Sequence, residues 1–151
     1  MGVYARDTIF EERLQEELEK IQLEYEDEHG NMRVGLVKVE PTPLGWLKSP
    51  RTNDKGVDLI IELPNKRRIA AQVKGYNGNN KVGSDAVLKV HGGKNIPKYN
   101  CQESMVITAS SYTKEARETA KELGCTLIDK DNIEYFVRGV HFIFSNKMKV
   151  G

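Results

Sequence analysis

The segment Gly56-Val57-Asp58-Leu59-Ile60-Ile61, followed after a polar break by Ala71-Gln72-Val73-Lys74, constrains this chain more than any other stretch. Residues 57–63 and 69–74 are short runs rich in branched apolar side chains, and Pro64-Asn65-Lys66-Arg67 between them supplies turn chemistry. The pattern predicts two antiparallel strands joined by a tight turn. Pairing centred near Asn65 or Lys66 sets Asp58 opposite Gln72 or Val73, and the two-residue period of a strand points Gln72 and Lys74 the same way. One carboxylate, one amide oxygen and one ammonium are then directed at one spot. A divalent ion requires hard oxygen ligands, and magnesium retains several waters, so two or three protein oxygens suffice to hold it. The Lys74 ammonium would hold or activate an attacking water and offset charge growing on a phosphate.

Further motifs follow in order. Met105-Val106-Ile107-Thr108-Ala109-Ser110-Ser111-Tyr112-Thr113-Lys114-Glu115-Ala116 reads as a strand leading into a helix, and Ala120 precedes a closing strand Gly124-Cys125-Thr126-Leu127-Ile128-Asp129. Together with Gly56-Val57-Asp58 and Gln72-Val73-Lys74, these residues resemble the Mrr-type restriction endonucleases, a branch of the PD-(D/E)xK nuclease group. This branch carries Gln-x-Lys where most of the group has Glu-x-Lys, which leaves the metal site less anionic. The resemblance spans residues 56–133. It implies an α/β, single-domain restriction-endonuclease-like fold with a central mixed β-sheet flanked by helices. It also implies magnesium-dependent cleavage of DNA, a catalytic set of Asp58, Gln72 and Lys74, and an ion held by Asp58, Gln72 and Val73. Taken singly, each motif has a structural explanation: a turn glycine, a solvated strand end, the outward face of a half-buried hairpin. Their occurrence together and in order is what favours a nuclease.

At 151 residues with 38% apolar content, the chain suits one compact domain over residues 1–151. No stretch approaches the ~18 apolar residues of a membrane span, and the first residues lack the apolar core of a signal peptide, so a cytoplasmic location is expected. Cys101 and Cys125 stand far apart with no Cys-x-x-Cys or His spacing around them, which argues against zinc. Cys125 opens an apolar strand and is expected in the core. His29, His91 and His141 are scattered and are expected in loops or at the surface.

A formal net charge of +1 hides an uneven distribution. Residues 7–28 hold ten acids against two bases, whereas residues 48–98 hold eleven Lys or Arg against four acids. Lys66, Arg67 and Arg68 in the turn, with Lys81, Lys89, Lys94 and Lys98 beyond Gln-x-Lys, could line a surface that tracks phosphates. Solvation of an exposed face is the commoner fate of any one of them. Lys48 and Arg51 are weaker candidates.

Residues 7–25 carry an apolar stripe at helical spacing, Phe10, Leu14, Leu18, Ile21 and Tyr25. At about 100° per residue, Glu11 lies about 60° from the stripe centre, beside the core, whereas Glu12 lies nearly opposite. Glu11 is therefore the candidate additional ligand and catalytic acid, and Phe10-Glu11 resembles the Phe-Glu that opens the family's helix. Most of the ten acids here serve only solvation.

Elsewhere the reading is coarser. Residues 32–39 alternate as a strand after the turn His29-Gly30-Asn31, and residues 41–54 read as a long loop containing Trp46. Residues 75–83, with three glycines and three asparagines, form a connection beside the site. A helix is expected over residues 84–91 with Ser84 or Asp85 as its cap, and a clearer one over 113–123, capped by Thr113 and ended by Gly124. Residues 131–136 suit a short helix and 140–144 an edge strand.

These observations predict an Mrr-like DNA endonuclease using magnesium or manganese. A homodimer is expected, because two strands of a duplex need two sites. Two alternatives remain: a structure-selective enzyme of the Holliday-junction resolvase type, and a DNA-binding relative that has lost turnover.

Overall fold

The computed structural model describes residues 3–42, 56–75 and 80–139, with side chains from residue 10 onward. Trp46, Lys48, Arg51, His141, most of the 41–54 loop and the expected strand at 140–144 lie outside the described residues.

The chain opens with helix α1 (Val3–Leu18), followed by strands β1 (Gln22–Glu26), β2 (Met32–Leu36) and β3 (Lys38–Pro41). The 57–74 hairpin is present as β4 (Leu59–Glu62) and β5 (Arg68–Lys74). Then come β6 (Lys81–Val82), α2 (Ser84–Gly93), β7 (Glu103–Thr108), β8 (Ser111–Tyr112), α3 (Lys114–Leu123), β9 (Thr126–Ile128) and α4 (Ile133–Val137).

Five strands form a mixed central sheet in the order β3-β4-β5-β7-β9. β3, β4 and β5 are antiparallel, whereas β5, β7 and β9 run parallel. The switch follows from the connections. A short turn returns β4 directly into β5, but α2 and α3 carry the chain back across the sheet between successive parallel strands. Lys66 occupies a left-handed conformation in that turn, with φ 76°.

Alternation along each strand sorts the core into two layers. Leu59, Ile61, Ile69, Ala71, Val73, Met105, Ile107 and Ile128 pack with Leu14, Leu18 and Phe136 on the α1/α4 side. Ile60, Ala70 and Val106 pack with Val87, Val90, Ala116 and Ala120 on the α2/α3 side. Each fully buried Leu or Ile contributes roughly 1.5–3 kcal/mol. Cys125 belongs to the second layer, as its apolar setting predicts.

Several boundaries differ from expectation. The first helix stops at Leu18, and Ile21 and Tyr25 leave it; Tyr25 sits in β1. Residues 21–25 read Ile-Gln-Leu-Glu-Tyr, which satisfies a two-residue period as well as a helical one, and pairing with β2 across the Gly30 turn decides between them. The single strand expected over 32–39 is two, broken at Val37, because β2 pairs with β1 while β3 joins the central sheet. Pro41, expected in a loop, closes β3. Helix α2 is capped by Gly83 and by neither Ser84 nor Asp85. Thr113 caps α3 as predicted, its side chain accepting from Ala116 N–H, and Gly124 ends the helix at φ 74°. His29 is exposed, but His91 is a half-buried helical residue whose Nδ1 lies 3.0 Å from Ser104 Oγ. Burial, followed by the Lys94 charge, lowers its pKa. No helix among the described residues is long and apolar enough to cross a membrane.

Candidate functional site

Leu59 pairs with Ala71, so the hairpin register continues to Asp58 opposite Gln72. Asp58 is fully buried at the mouth of β4. Its backbone is fixed from both sides: its N–H donates to Ala71 O at 2.8 Å, and its carbonyl accepts from Thr42 N–H at 3.0 Å. Thr42 Oγ1 also donates to Val57 O at 2.8 Å. The Asp58 side chain is equally fixed, because Oδ2 accepts from Gln72 Nε2 and from Val73 N–H, each at 2.8 Å. Two short bonds to a carboxylate are of the strong, charge-assisted kind.

Gly56 brings the loop before Asp58 against α2. Its φ is 66°, and a Cβ there would lie 2.5 Å from Lys89 Cβ, 2.9 Å from the Lys89 carbonyl carbon and 3.1 Å from Gln72 Oε1. Only glycine satisfies both the backbone angle and the approach. The same contact locates the Gln72 amide: its nitrogen faces Asp58 and its oxygen faces Gly56.

Gln72 and Lys74 share the α2/α3 side of β5 with Ala70, as the strand period requires. Lys74 opens onto a cavity of about 450 Å³ lined also by Lys81, Ser84, Asp85, Lys89 and Glu115. A larger cavity of about 830 Å³, lined by Glu26, Asp27, Glu28, Lys66 and Arg67, lies at the other end of the sheet. Its chemistry is structural: Asp27 binds Arg33 Nε at 2.6 Å and the backbone N–H groups of His29 and Asn31, which hold its carboxyl below the usual range.

Glu11 is 1% exposed, as its position beside the apolar stripe predicts, whereas Glu12 faces solvent. Its height on the sheet follows from two contacts. Val37 N–H donates to Ile21 O at 3.1 Å and Gln15 Nε2 reaches Val39 O at 3.4 Å, so α1 climbs along β3 as its numbering falls. One more helical turn, about 6 Å, brings Glu11 level with Pro41, which is paired through Leu59 to Ala71. Glu11 therefore reaches the Asp58 end of the sheet from the α1 layer, and Gln72 and Lys74 reach it from the α2 layer.

Of the cations expected along a phosphate track, Lys81 and Lys89 meet Lys74 at this cavity. The others lie elsewhere. Arg68 begins β5, six residues and roughly 20 Å from Lys74. Arg68 binds Glu62 at 2.9 Å and Arg67 binds Glu103 at 3.4 Å, while Lys66 is exposed in the same turn. Lys94 donates to Gln102 O at 3.4 Å and Lys98 stands over the Tyr99 ring, both beyond the far end of α2.

The donor set suits a hard divalent cation. Asp58 and Glu11 are both buried acids, and carboxylate oxygens are the ligands a hard divalent cation takes. Among the described residues no three His, Cys, Asp or Glu side chains cluster. An ion here would rest on two carboxylates, with water completing the shell, which magnesium and manganese accept. Val73 contributes its N–H to Asp58. Sequence reasoning missed Thr42 and the Gly56–Lys89 approach, since each joins residues distant in the chain and neither leaves a local pattern.

Comparison with known proteins bears on the family and the fold. A family model, Mrr_cat, described as restriction endonuclease, matches residues 43–137. No curated protein matches the chain. Among solved structures, the chain is similar to one described as "Crystal Structure of Protein of Unknown Function AF1548", with a TM-score of 0.51, 16% identity, and coverage of 97% of this chain and 67% of that one. At that identity the likeness concerns the fold alone.

Proposed function

Because this chain belongs to the restriction endonuclease family whose model spans residues 43–137, we propose that it is a metal-dependent endonuclease of the Mrr-like type, hydrolysing phosphodiester bonds in DNA. The observation that carries the reading is the fixed carboxylate of Asp58, held by Gln72 and Val73 on the strand that presents Lys74.

Asp58 and Glu11 would hold the ion, with water completing its shell, while Gln72 and Val73 act through the N–H groups that fix the Asp58 carboxylate. Bound there, magnesium or manganese would polarise the scissile phosphate and ease departure of the leaving oxygen. The chain's own groups do the rest. Gln72 and Val73 remove the rotational freedom of the Asp58 carboxylate before substrate arrives, so no reorganisation is needed during reaction. Lys74, on the same face as Gln72, orients the attacking water through its ammonium and offsets charge on the phosphate. Lys81 and Lys89 extend positive charge from Lys74 along the cavity and would hold a neighbouring phosphate.

A second reading, a DNA-binding relative without turnover, draws on the Gln72 amide, whose nitrogen rather than oxygen is turned toward Asp58. One experiment separates the two. Purified protein is incubated with plasmid, methylated plasmid and a four-way junction, with magnesium, with manganese and with chelator. Metal-dependent cleavage that disappears in Asp58→Ala and Lys74→Ala, by roughly 10²-fold or more, supports the nuclease. Wild-type turnover in either variant would sink it. Binding without cleavage under every metal condition leaves the inactive reading, and preference for the junction identifies a resolvase.

A further inference from the structure

Thr108 and Ser110, at the end of β7, are buried polar residues that the chemistry above does not use. Their exposures are 0% and 1%, and a hydroxyl is costly to bury unless it is hydrogen-bonded. Both lie next to the proposed site. Lys74 pairs with Thr108 in the parallel register of β5 and β7, so the end of β7 stands one strand spacing, about 4.8 Å, from the strand that presents the lysine. Thr108 Oγ1 accepts from Ser110 N–H at 3.2 Å, a local turn that fixes the backbone of Ser110. From there Ser110 reaches two other elements. Its carbonyl accepts from Lys130 N–H at 2.9 Å, beyond β9, and its Oγ donates to Asn80 O at 2.5 Å, at the entry to β6.

The second bond bears on Lys81, the residue after Asn80, which lines the cavity with Lys74 and Lys89. Chain connection to Lys74 does not place it. The six residues between them, Gly75-Tyr76-Asn77-Gly78-Asn79-Asn80, can span up to about 20 Å, and glycine adds backbone freedom. Strand pairing gives a short hold, because β6 has two residues, Lys81 opposite Ser111 and Val82 opposite Tyr112. Thr113 N–H adds a bond to Val82 O at 3.0 Å. The Tyr112 hydroxyl, 2.8 Å from Val106 O and 2.7 Å from Ile128 O, ties β8 to the central sheet. Ser110 supplies the remaining fastening, at the end of β6 nearest the cavity lysine.

We propose that Ser110 is a positioning residue for DNA: by holding Asn80 it sets Lys81 beside Lys74, so that both lysines meet the backbone of the bound strand. This role rests on the nuclease reading above. At 1% exposure Ser110 touches no phosphate itself and acts through Lys81. Fixing the backbone under Lys81 before DNA arrives lowers the ordering cost that binding would otherwise carry.

Salt titrations of binding to a duplex, in chelator to prevent cleavage, test the coupling. Lys81→Ser should flatten the slope of log affinity against log salt by about one unit, the share of one phosphate. Ser110→Ala should weaken binding several-fold and flatten the slope in the same direction. That loss should vanish when Lys81 is already Ser and persist in full when Lys89 is Ser, whereas a general structural defect would lower both backgrounds alike. Amide exchange reads the position without DNA. In Ser110→Ala the Thr113 N–H should exchange faster while the Val73 N–H stays slow. Ser110→Cys, a weaker donor of similar size, should show both effects to a lesser degree, and it replaces the alanine variant if that one does not fold. Unchanged exchange at Thr113, or a binding loss that simply adds to that of Lys81→Ser, would overturn the proposal. A wild type that binds no DNA would remove the nuclease reading and this role with it, and exchange at Thr113 would still report whether Ser110 holds β6.

Discussion

Oδ2 of Asp58 lies 2.8 Å from the amide nitrogen of Gln72 and accepts its hydrogen. A glutamate at position 72 could not make that bond, since an ionised carboxylate only accepts. The residue that departs from the commoner Glu-x-Lys pattern is thus the one that fastens the buried carboxylate in place.

Gln72→Glu should therefore make folding depend on metal. It sets two carboxylates within hydrogen-bond distance inside the protein, and loss of the donor alone costs about 1–3 kcal/mol. Thermal unfolding in chelator should shift downward relative to wild type, and magnesium or manganese should restore the variant more than it raises the wild type. Equal metal responses in the two proteins would count against an ion at Asp58.

Gly56→Ala tests the approach of the Asp58 loop to α2. The left-handed φ and the 2.5 Å encounter with Lys89 Cβ together predict a loss of about 1–3 kcal/mol in urea unfolding. Gly83→Ala is the control, since its φ is −92° and nothing lies within 4 Å of an added Cβ. It should change stability by less than about 0.5 kcal/mol.

Glu11→Ala should reduce cleavage, with partial recovery at raised manganese, while Glu12→Ala should behave as wild type. The contrast rests on the 1% exposure of Glu11 against the solvent-facing position of Glu12. Comparable losses from both would remove α1 from the site.

Replacing Lys81 and Lys89 together with Ser should weaken DNA binding for unrelated sequences. It should also flatten the slope of log affinity against log salt by about two units, since each phosphate that a lysine neutralises adds about 0.9 to that slope. Replacing Lys94 and Lys98, beyond the other end of α2, should leave the slope unchanged. The reverse result would move the phosphate track to the far end of the molecule.

The hairpin and its register were legible in sequence because a tight turn makes pairing a matter of counting: once Asn65 is the centre, Asp58 must oppose Gln72. The buried position of Glu11 was legible for the same reason, since Phe10, Leu14 and Leu18 fix the helix phase. The helix end was not, because residues 19–25 fit two periods and only the pairing of β1 with β2 decides. Nor was the separation of the cations. Arg67 and Arg68 are close to Gln72 along the chain, but a strand spends its residues on length and carries these guanidiniums to the opposite end of the sheet. Sequence proximity and spatial proximity diverge fastest in extended backbone.

The clamp on Asp58 joins residues only 14 and 15 positions apart, across one tight hairpin, whereas Glu11 and Lys89 reach the site on separate helices. Contacts within a hairpin form in roughly microseconds, and docking of distant elements follows later because longer loops must close first. On loop-closure cost alone, the hairpin that holds the central carboxylate is expected to form before the helices dock around it. A half-folded molecule would carry the anchor without its surroundings, so the proposed site would be complete only in the finished structure.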